Sequence, residues 1–521
     1  MIKVHLRRIS LLLLAIAIAF LGFFQVFMRL EGSFPASFAI NLGVAVLLTI
    51  AFWAEIAVLL PYAAQTIQPC VVLLASLGVT MIARIGLSDT RYANAASRQI
   101  LWYDIAVVLC AVLVAVLRDY RDLRRFSYVC MVVGIVLLLA PVVPGVGSGE
   151  IGGAQIWVRI GPFSMQPAEF AKLFLAVFFA AYLFEHRDQL AVGGREFLGT
   201  RLPRLKDLLP IAVVWLVSMG VLVLQRDLGT SLMFFAMFVS MLYVSTDRAS
   251  WIVIGLGAFA VGAVLAASIF SHVQARVDVW LHPFDPELYG RAYGGSAQLV
   301  SGLFGLASGG LVGSGLGQGY PWITPLPQSD FIYSSLGEEL GLTGLLAILT
   351  LYLVIIGAGM LTAMKIQDGF GKLLASGLVF TMAFQVFTVV GGITLVMPLT
   401  GLTLPFVAAG GSSLIANCVV ATMLLIISNA AFKPRSDEEM SATFQMEALA
   451  ALKARDERRR ARKEREREQG EISEDTAEQP FAPGPFSSAS RNASQSAPSM
   501  PPAPPAGNER GPHERRGRRT S

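Results

Sequence analysis

Between Arg276 and Glu339 the chain gathers Arg276, Asp278, Asp285, Glu287, Arg291, Gln298, Asp330, Glu338 and Glu339, in a protein that is otherwise mostly apolar. Carboxylates can take up and release protons, and guanidinium groups can hold oxyanions. The stretch 272–333 is polar and Gly-rich, and a loop of roughly 60 residues inside a compact domain is usually functional. Chemistry is expected there. Of the five histidines, His282 is the one placed to join it, three residues before Asp285. The others are scattered, which argues against a His-based zinc site.

Three further polar segments carry candidate groups. The first runs Gly153-Ala-Gln-Ile-Trp157-Val-Arg159 and on through Gln166-Pro167-Ala-Glu169-Phe-Ala-Lys172. Pro167 suits the first turn of a helix, and Glu169 and Lys172, at i and i+3, share one face of it. That pair is either a structural staple or the lining of a cavity. Arg159 has no obvious partner and suits an anionic substrate. The second is the tight turn Gln225-Arg226-Asp227-Leu228-Gly229-Thr230, where Arg226 and Asp227 either pair with each other or face a cavity. The third, Pro398 to Ser413, contains Gly401, Pro405, Gly410, Gly411, Ser412 and Ser413. Such residues break a helix in a membrane unless the freed backbone groups face protein or water, so an irregular cavity-lining segment is expected.

The elements that must position these groups follow from composition. A chain that is 54% hydrophobic and 15% charged, with mean hydropathy +0.61, is not a soluble domain. Apolar stretches long enough to span a bilayer fall at 11–28, 37–60, 68–84, 100–117, 127–143, 170–185, 208–224, 229–246, 251–271, 341–361, 373–397 and 402–430, about twelve helices. Lys3, Arg7 and Arg8 precede the first, and no small-residue cleavage site follows, so it reads as an anchor. Arg118, Arg121, Arg124 and Arg125, then Arg195, Arg201, Arg204 and Lys206, then Lys365 and Lys372 all fall on the side of the N-terminus if twelve spans are counted. Both termini are then cytoplasmic, and the four polar segments share the outer face.

Cys70, Cys110, Cys130 and Cys418 lie in apolar segments and read as small core residues. Met440–Glu468 reads as a charged helix, and the Pro-, Ser- and Arg-rich remainder as a disordered tail that touches anionic lipid headgroups or binds a partner. The net charge of +5 owes much to loops and tail, which points to membrane topology and not to nucleic acid. The chain divides into two N-terminal helices at 1–67, a core at 68–432, and a cytoplasmic segment at 433–521.

Taken in order, the four polar segments resemble the SEDS family of bacterial wall synthesis. The similarity runs from about residue 68 to about residue 430. The family has a ten-helix core, so the resemblance implies an all-α polytopic membrane protein with two additional N-terminal transmembrane helices and a C-terminal tail. Val390-Gly-Gly-Ile-Thr and Pro398-Leu-Thr-Gly-Leu-Thr look more like the elongation branch of the family than the division branch.

The resemblance implies a peptidoglycan glycosyltransferase that polymerises lipid II with a class B penicillin-binding protein as partner. The acceptor sugar's 4-hydroxyl must lose a proton as it attacks, so a carboxylate is the natural general base. The leaving pyrophosphate calls for arginine or a divalent cation, Mg or Mn, and for no organic cofactor. Family members carry an essential Asp in an Asp-Pro stretch of the long loop. Here the stretch reads His282-Pro-Phe-Asp285-Pro-Glu287, shorter before the Asp-Pro and longer after it. Asp285 is thus the expected base, with Glu287 its rival. Arg276 is expected on the pyrophosphate, with Arg159, Gln298, Ser412 and Ser413 as further substrate contacts. Glu169, Lys172, Asp227, Asp330, Glu338 and Glu339 are expected to line or shape the cavity. A lipid II flippase, a division-type polymerase and a non-catalytic scaffold remain as alternatives.

Overall fold

The computed structural model describes residues 2–150, 154–161, 163–187, 196–197, 200–201, 205–291 and 294–434. The expected charged helix and tail lie outside the described residues, as does most of the basic loop after residue 187. The helices are α1 (Ile2–Leu30), α2 (Ala36–Leu59), α3 (Ile67–Ser88), α4 (Ala95–Val116), α5 (Ser127–Leu139), α6 (Pro167–Glu185), α7 (Leu205–Leu224), α8 (Leu228–Thr246), α9 (Ser250–Ile269), α10 (Ser271–Leu281), α11 (Pro286–Tyr289), α12 (Ala297–Gly309), α13 (Ile332–Lys365), α14 (Gly369–Ile393) and α15 (Gly411–Phe432). Among the described residues, eleven helices are long and apolar enough to cross a membrane. The remaining expected span, 208–224, falls in the 20-residue α7. The protein is a multi-pass membrane protein.

Burial separates central from peripheral helices. In α6 and α15, 78% of the most apolar window is buried and in α14 72%, against 6% in α9, which presents its side chains to lipid. The N-terminal pair is seated by polar contacts as well as by packing. Thr49 of α2 and Tyr103 of α4 share a buried 2.9 Å hydrogen bond. Arg8 of α1 donates to the carbonyls of Pro61 at 2.9 Å and Ala63 at 2.5 Å, beyond the end of α2, where carbonyls lack intrahelical partners.

Three boundaries differ from the sequence expectation. The last span begins at Gly411 rather than 402, because Leu402–Ala409 is buried in protein as irregular chain and is not helical. The helix expected from 341 starts at Ile332 and passes through Gly341, whose φ of 68° and ψ of −173° join two helical segments that a side chain would strain. The stretch 272–333 is largely folded, being built from α10, α11, α12 and a 3₁₀ turn at Pro321–Ile323.

Gly78 in α3 lies against the Pro405–Gly410 segment so closely that a Cβ there would overlap the Val407 carbonyl. Gly78→Ala is therefore expected to destabilise the protein by about 1–3 kcal/mol, the usual effect of overpacking. Thermal unfolding in detergent checks this; an unchanged midpoint would show that the 405–410 segment yields freely.

Candidate active site

The starts of α6, α8, α13 and α15 and the end of α14 meet at one end of the bundle. At their centre Lys172 is 2% exposed, and its Nζ donates to Glu169 Oε2 at 2.6 Å, Gln385 Oε1 at 3.0 Å and Asn417 Oδ1 at 3.2 Å. All three ammonium protons are thereby used, the condition under which a charge is tolerated at such depth. The expected Glu169–Lys172 pair forms. The irregular segment joins it through Thr403, whose hydroxyl donates to Ser413 Oγ at 2.6 Å and lies 3.5 Å from Glu169 Oε1. Ser412 Oγ accepts from the Gln166 backbone N–H at 3.0 Å, so it ties α15 to the start of α6.

Beside this network lies a second charged group. Asp227 caps α8, its Oδ1 accepting from Thr230 N–H at 3.0 Å. It does not pair with Arg226, which takes a left-handed φ of 59° and donates to Glu150 at 3.0 Å. Arg276 of α10 donates through one nitrogen to the carbonyls of Leu399 at 3.0 Å and Thr400 at 3.1 Å. Its charge acts on both Asp227 and Asp330. Burial raises the carboxyl of Asp227, an effect tempered by Thr230 and Arg276. Burial pushes Asp330 up to about 6, against the opposing pull of Arg276.

Among the described residues, four of the five non-glycine residues with positive φ, Arg226, Leu326, Leu395 and Phe406, sit in the segments that build this end. Such conformations cost on the order of 1–3 kcal/mol each and persist where surrounding structure holds them. A cavity of about 510 Å³ runs between α8, α9 and α14. It is lined by Phe235, Phe259, Phe380, Phe384 and Phe387 and reaches Met397, two residues before the Leu399 carbonyl that Arg276 holds.

Not every expected group joins the cluster. Asp285 is exposed and caps the four-residue α11 by accepting from Glu287 N–H at 2.8 Å; Glu287 is exposed beside it. Gln298 donates to the Pro325 carbonyl at 3.3 Å, and Arg159 sits exposed on a short hairpin, Val158–Ile160 against Phe163–Met165. Glu338 and Glu339 belong to a separate node. Glu339 pairs with Arg84 at 2.8 Å and accepts from Gly317 N–H at 2.8 Å, while Glu338 accepts from Tyr320 N–H at 2.6 Å. They anchor the Gly-rich run 313–320 to α13.

Sequence reading missed Arg84, Gln385 and Asn417. Their signal was available, since a polar side chain inside an apolar span is rare and usually faces a partner. Among the described residues, no three His, Cys, Asp or Glu side chains converge closely enough to hold a metal ion. Asp227 and Asp330 each interact with the charge of Arg276.

The model of the FtsW/RodA/SpoVE family, described as cell cycle protein, matches residues 64–432. The peptidoglycan glycosyltransferase RodA of Mycobacterium tuberculosis is 45% identical over 379 residues, covering 72% of this chain and 80% of that protein. RodA of Mycobacterium leprae is 42% identical over 378 residues, with 72% and 79% covered. A solved chain from a peptidoglycan synthase complex that coordinates polymerisation and crosslinking superposes with a TM-score of 0.57 at 25% identity, covering 71% of this chain and 99% of that chain. Because the match takes in the helices from α3 to α15 and all four polar segments, the chain belongs to the FtsW/RodA/SpoVE family.

Proposed function

We propose that this protein is a peptidoglycan glycosyltransferase that polymerises lipid II into glycan strands during cell-wall elongation. The observation that carries the reading is the grouping of Arg276 with Asp227 and Asp330, with Arg276 fastened to Leu399 two residues beyond Met397, which lines the 510 Å³ apolar cavity. A lipid-linked sugar pyrophosphate needs such a pairing, with a cationic group for the phosphate and an apolar slot for the chain. The starts of α6, α8 and α15 add their positive dipole ends at the same place. Both termini are assigned to the cytoplasm by the positive-inside rule, which puts this end of the bundle on the outer face.

Asp285 is the proposed base that takes the proton from the acceptor 4-hydroxyl as its oxygen bonds to the donor's anomeric carbon. The bond from that carbon to the pyrophosphate oxygen breaks, and Arg276 steadies the departing charge. No step is assigned to a divalent cation. The names of the relatives support the activity, and the synthase complex, which couples polymerisation with crosslinking, supports a crosslinking partner, which we take to be a class B penicillin-binding protein. The test is strand synthesis from purified lipid II by the protein with such a partner. Strands are expected; no strands, together with passage of lipid II across reconstituted vesicles, would favour a flippase.

Asp330 gives this reading a pH signature. Its carboxyl is raised, so its contribution to folding is full below the ordinary carboxylate range and is lost as pH rises through about 6. Neutralising Asp330 leaves Arg276 less compensated. The KM for anionic lipid II is thus expected to fall as pH drops from about 7.5 to about 5, and Asp330→Asn to flatten that dependence. A parent KM that rises toward acid pH would contradict it.

A further inference from the structure

Two side-chain oxygens beside Arg276 are buried yet make no hydrogen bond within the protein: Oδ2 of Asp227, a residue 8% exposed, and Oγ1 of Thr400, 9% exposed. Buried polar atoms are nearly always paired, so each such exception asks for a partner. The two stand on segments pressed together, because a Cβ on Gly229 would lie 2.6 Å from the Thr400 carbonyl. Everything else about them is committed. Asp227 Oδ1 serves the α8 cap, and the Thr400 carbonyl serves Arg276.

A carboxylate oxygen accepts only, and a hydroxyl accepts as readily as it donates, so both call for an N–H or O–H donor. Arg276 commits one terminal nitrogen to carbonyls, and its other N–H groups suit a phosphate oxygen. The matching ligand carries a phosphate and, a few bonds away, a hydrogen-bond donor. A sugar 1-phosphate with an acetamido N–H on the neighbouring ring carbon has that form. We propose that Asp227 and Thr400 form the subsite that reads the acetamido N–H of the sugar attached to the pyrophosphate, which makes them specificity-determining residues. The inference rests on the glycosyltransferase reading above.

A thermodynamic cycle between protein and substrate tests it. Parent, Asp227→Asn and Thr400→Val are assayed on lipid II and on an analogue with hydrogen in place of that acetamido group, with a hydroxyl analogue as a third arm. Asn retains the helix cap and Val the shape of Thr. For the parent, the hydrogen analogue is expected to raise KM about 10-fold, the size of one well-placed hydrogen bond. Thr400→Val is expected to raise the KM for lipid II similarly, with kcat within about 2-fold; in Asp227→Asn the lost acceptor is opposed by a less compensated Arg276, so that variant is read by the ratio alone, and in both variants the analogue-to-lipid II ratio is expected to shrink toward about 1. A parent ratio near the hydrogen-analogue value with the hydroxyl arm supports amide reading; tolerance of the hydroxyl assigns the subsite to any donor and overturns the acetamido part. Unchanged ratios in both variants would mean that the acetamido group does not meet these oxygens, and the proposal falls. If Asp227→Asn fails to fold, Thr400→Val decides alone. A parent with no activity on lipid II would instead remove the underlying function.

Discussion

Asp285→Ala is expected to lower strand synthesis by about 10²- to 10⁴-fold, the usual contribution of a positioned general base, while Glu287→Ala stays within about 3-fold of the parent. Stability should hardly move. Asp285 is exposed and caps only the four-residue α11, and an N-cap contributes about 1 kcal/mol at most sites. Loss of polymer with an unchanged melting point therefore separates a chemical role from a structural one. The measurement is gel analysis of strands made from lipid II in the presence of the class B partner. If Glu287→Ala is the dead variant, the base is Glu287; if both variants polymerise, the proton goes elsewhere, and Asp330 becomes the first acid to change.

Lys172→Met is expected to be the most damaging single change inside the bundle. It strands the buried Glu169 carboxylate together with Gln385 Oε1 and Asn417 Oδ1, which Lys172 now satisfies. Breaking a buried pair by removing one partner typically destabilises by about 3–5 kcal/mol, more than forming the pair stabilises. Glu169→Gln combined with Lys172→Met removes both charges and should recover much of that loss. The two outcomes are read by thermal unfolding in detergent. Recovery of stability without recovery of strand synthesis would assign the charges to substrate handling; equal melting points for parent and Lys172→Met would show that the network is dispensable.

What was legible in the sequence depended on how local each signal is. Glu169 and Lys172 meet because i and i+3 share a helix face, and the spacing alone announces it. Their partners Gln385 and Asn417 stand 213 and 245 residues further along from Lys172, a distance no local pattern spans. Hydropathy located the spans but set the last one nine residues early, because Leu402, Leu404, Phe406 and Val407 are buried against protein in a non-helical path. Apolar composition reports burial and not the backbone conformation that achieves it. Arg226 and Asp227, which the sequence left either paired or facing a cavity, show the limit of adjacency. Adjacent in sequence and opposite in charge, they are sent apart by the left-handed turn at Arg226. The acids of the long loop were expected to converge, and the chain instead divides them among an exposed cap, a loop anchor and the Arg276 cluster.

The link between α2 and α3 has a consequence for how this chain reaches its final form in the cell. The backbone N–H of Tyr62 donates to Asn429 Oδ1 and that of Ala64 to Ser428 Oγ, both at 2.9 Å, across sequence separations of 367 and 364 residues. The first helical hairpin leaves the ribosome before any other, yet the groups that satisfy its exit are near the last to be made. Contacts so distant in sequence close late. The seat of the first hairpin is therefore finished by the final helix, so the early and late parts of the membrane-embedded chain are fastened to each other only when the last span is in place.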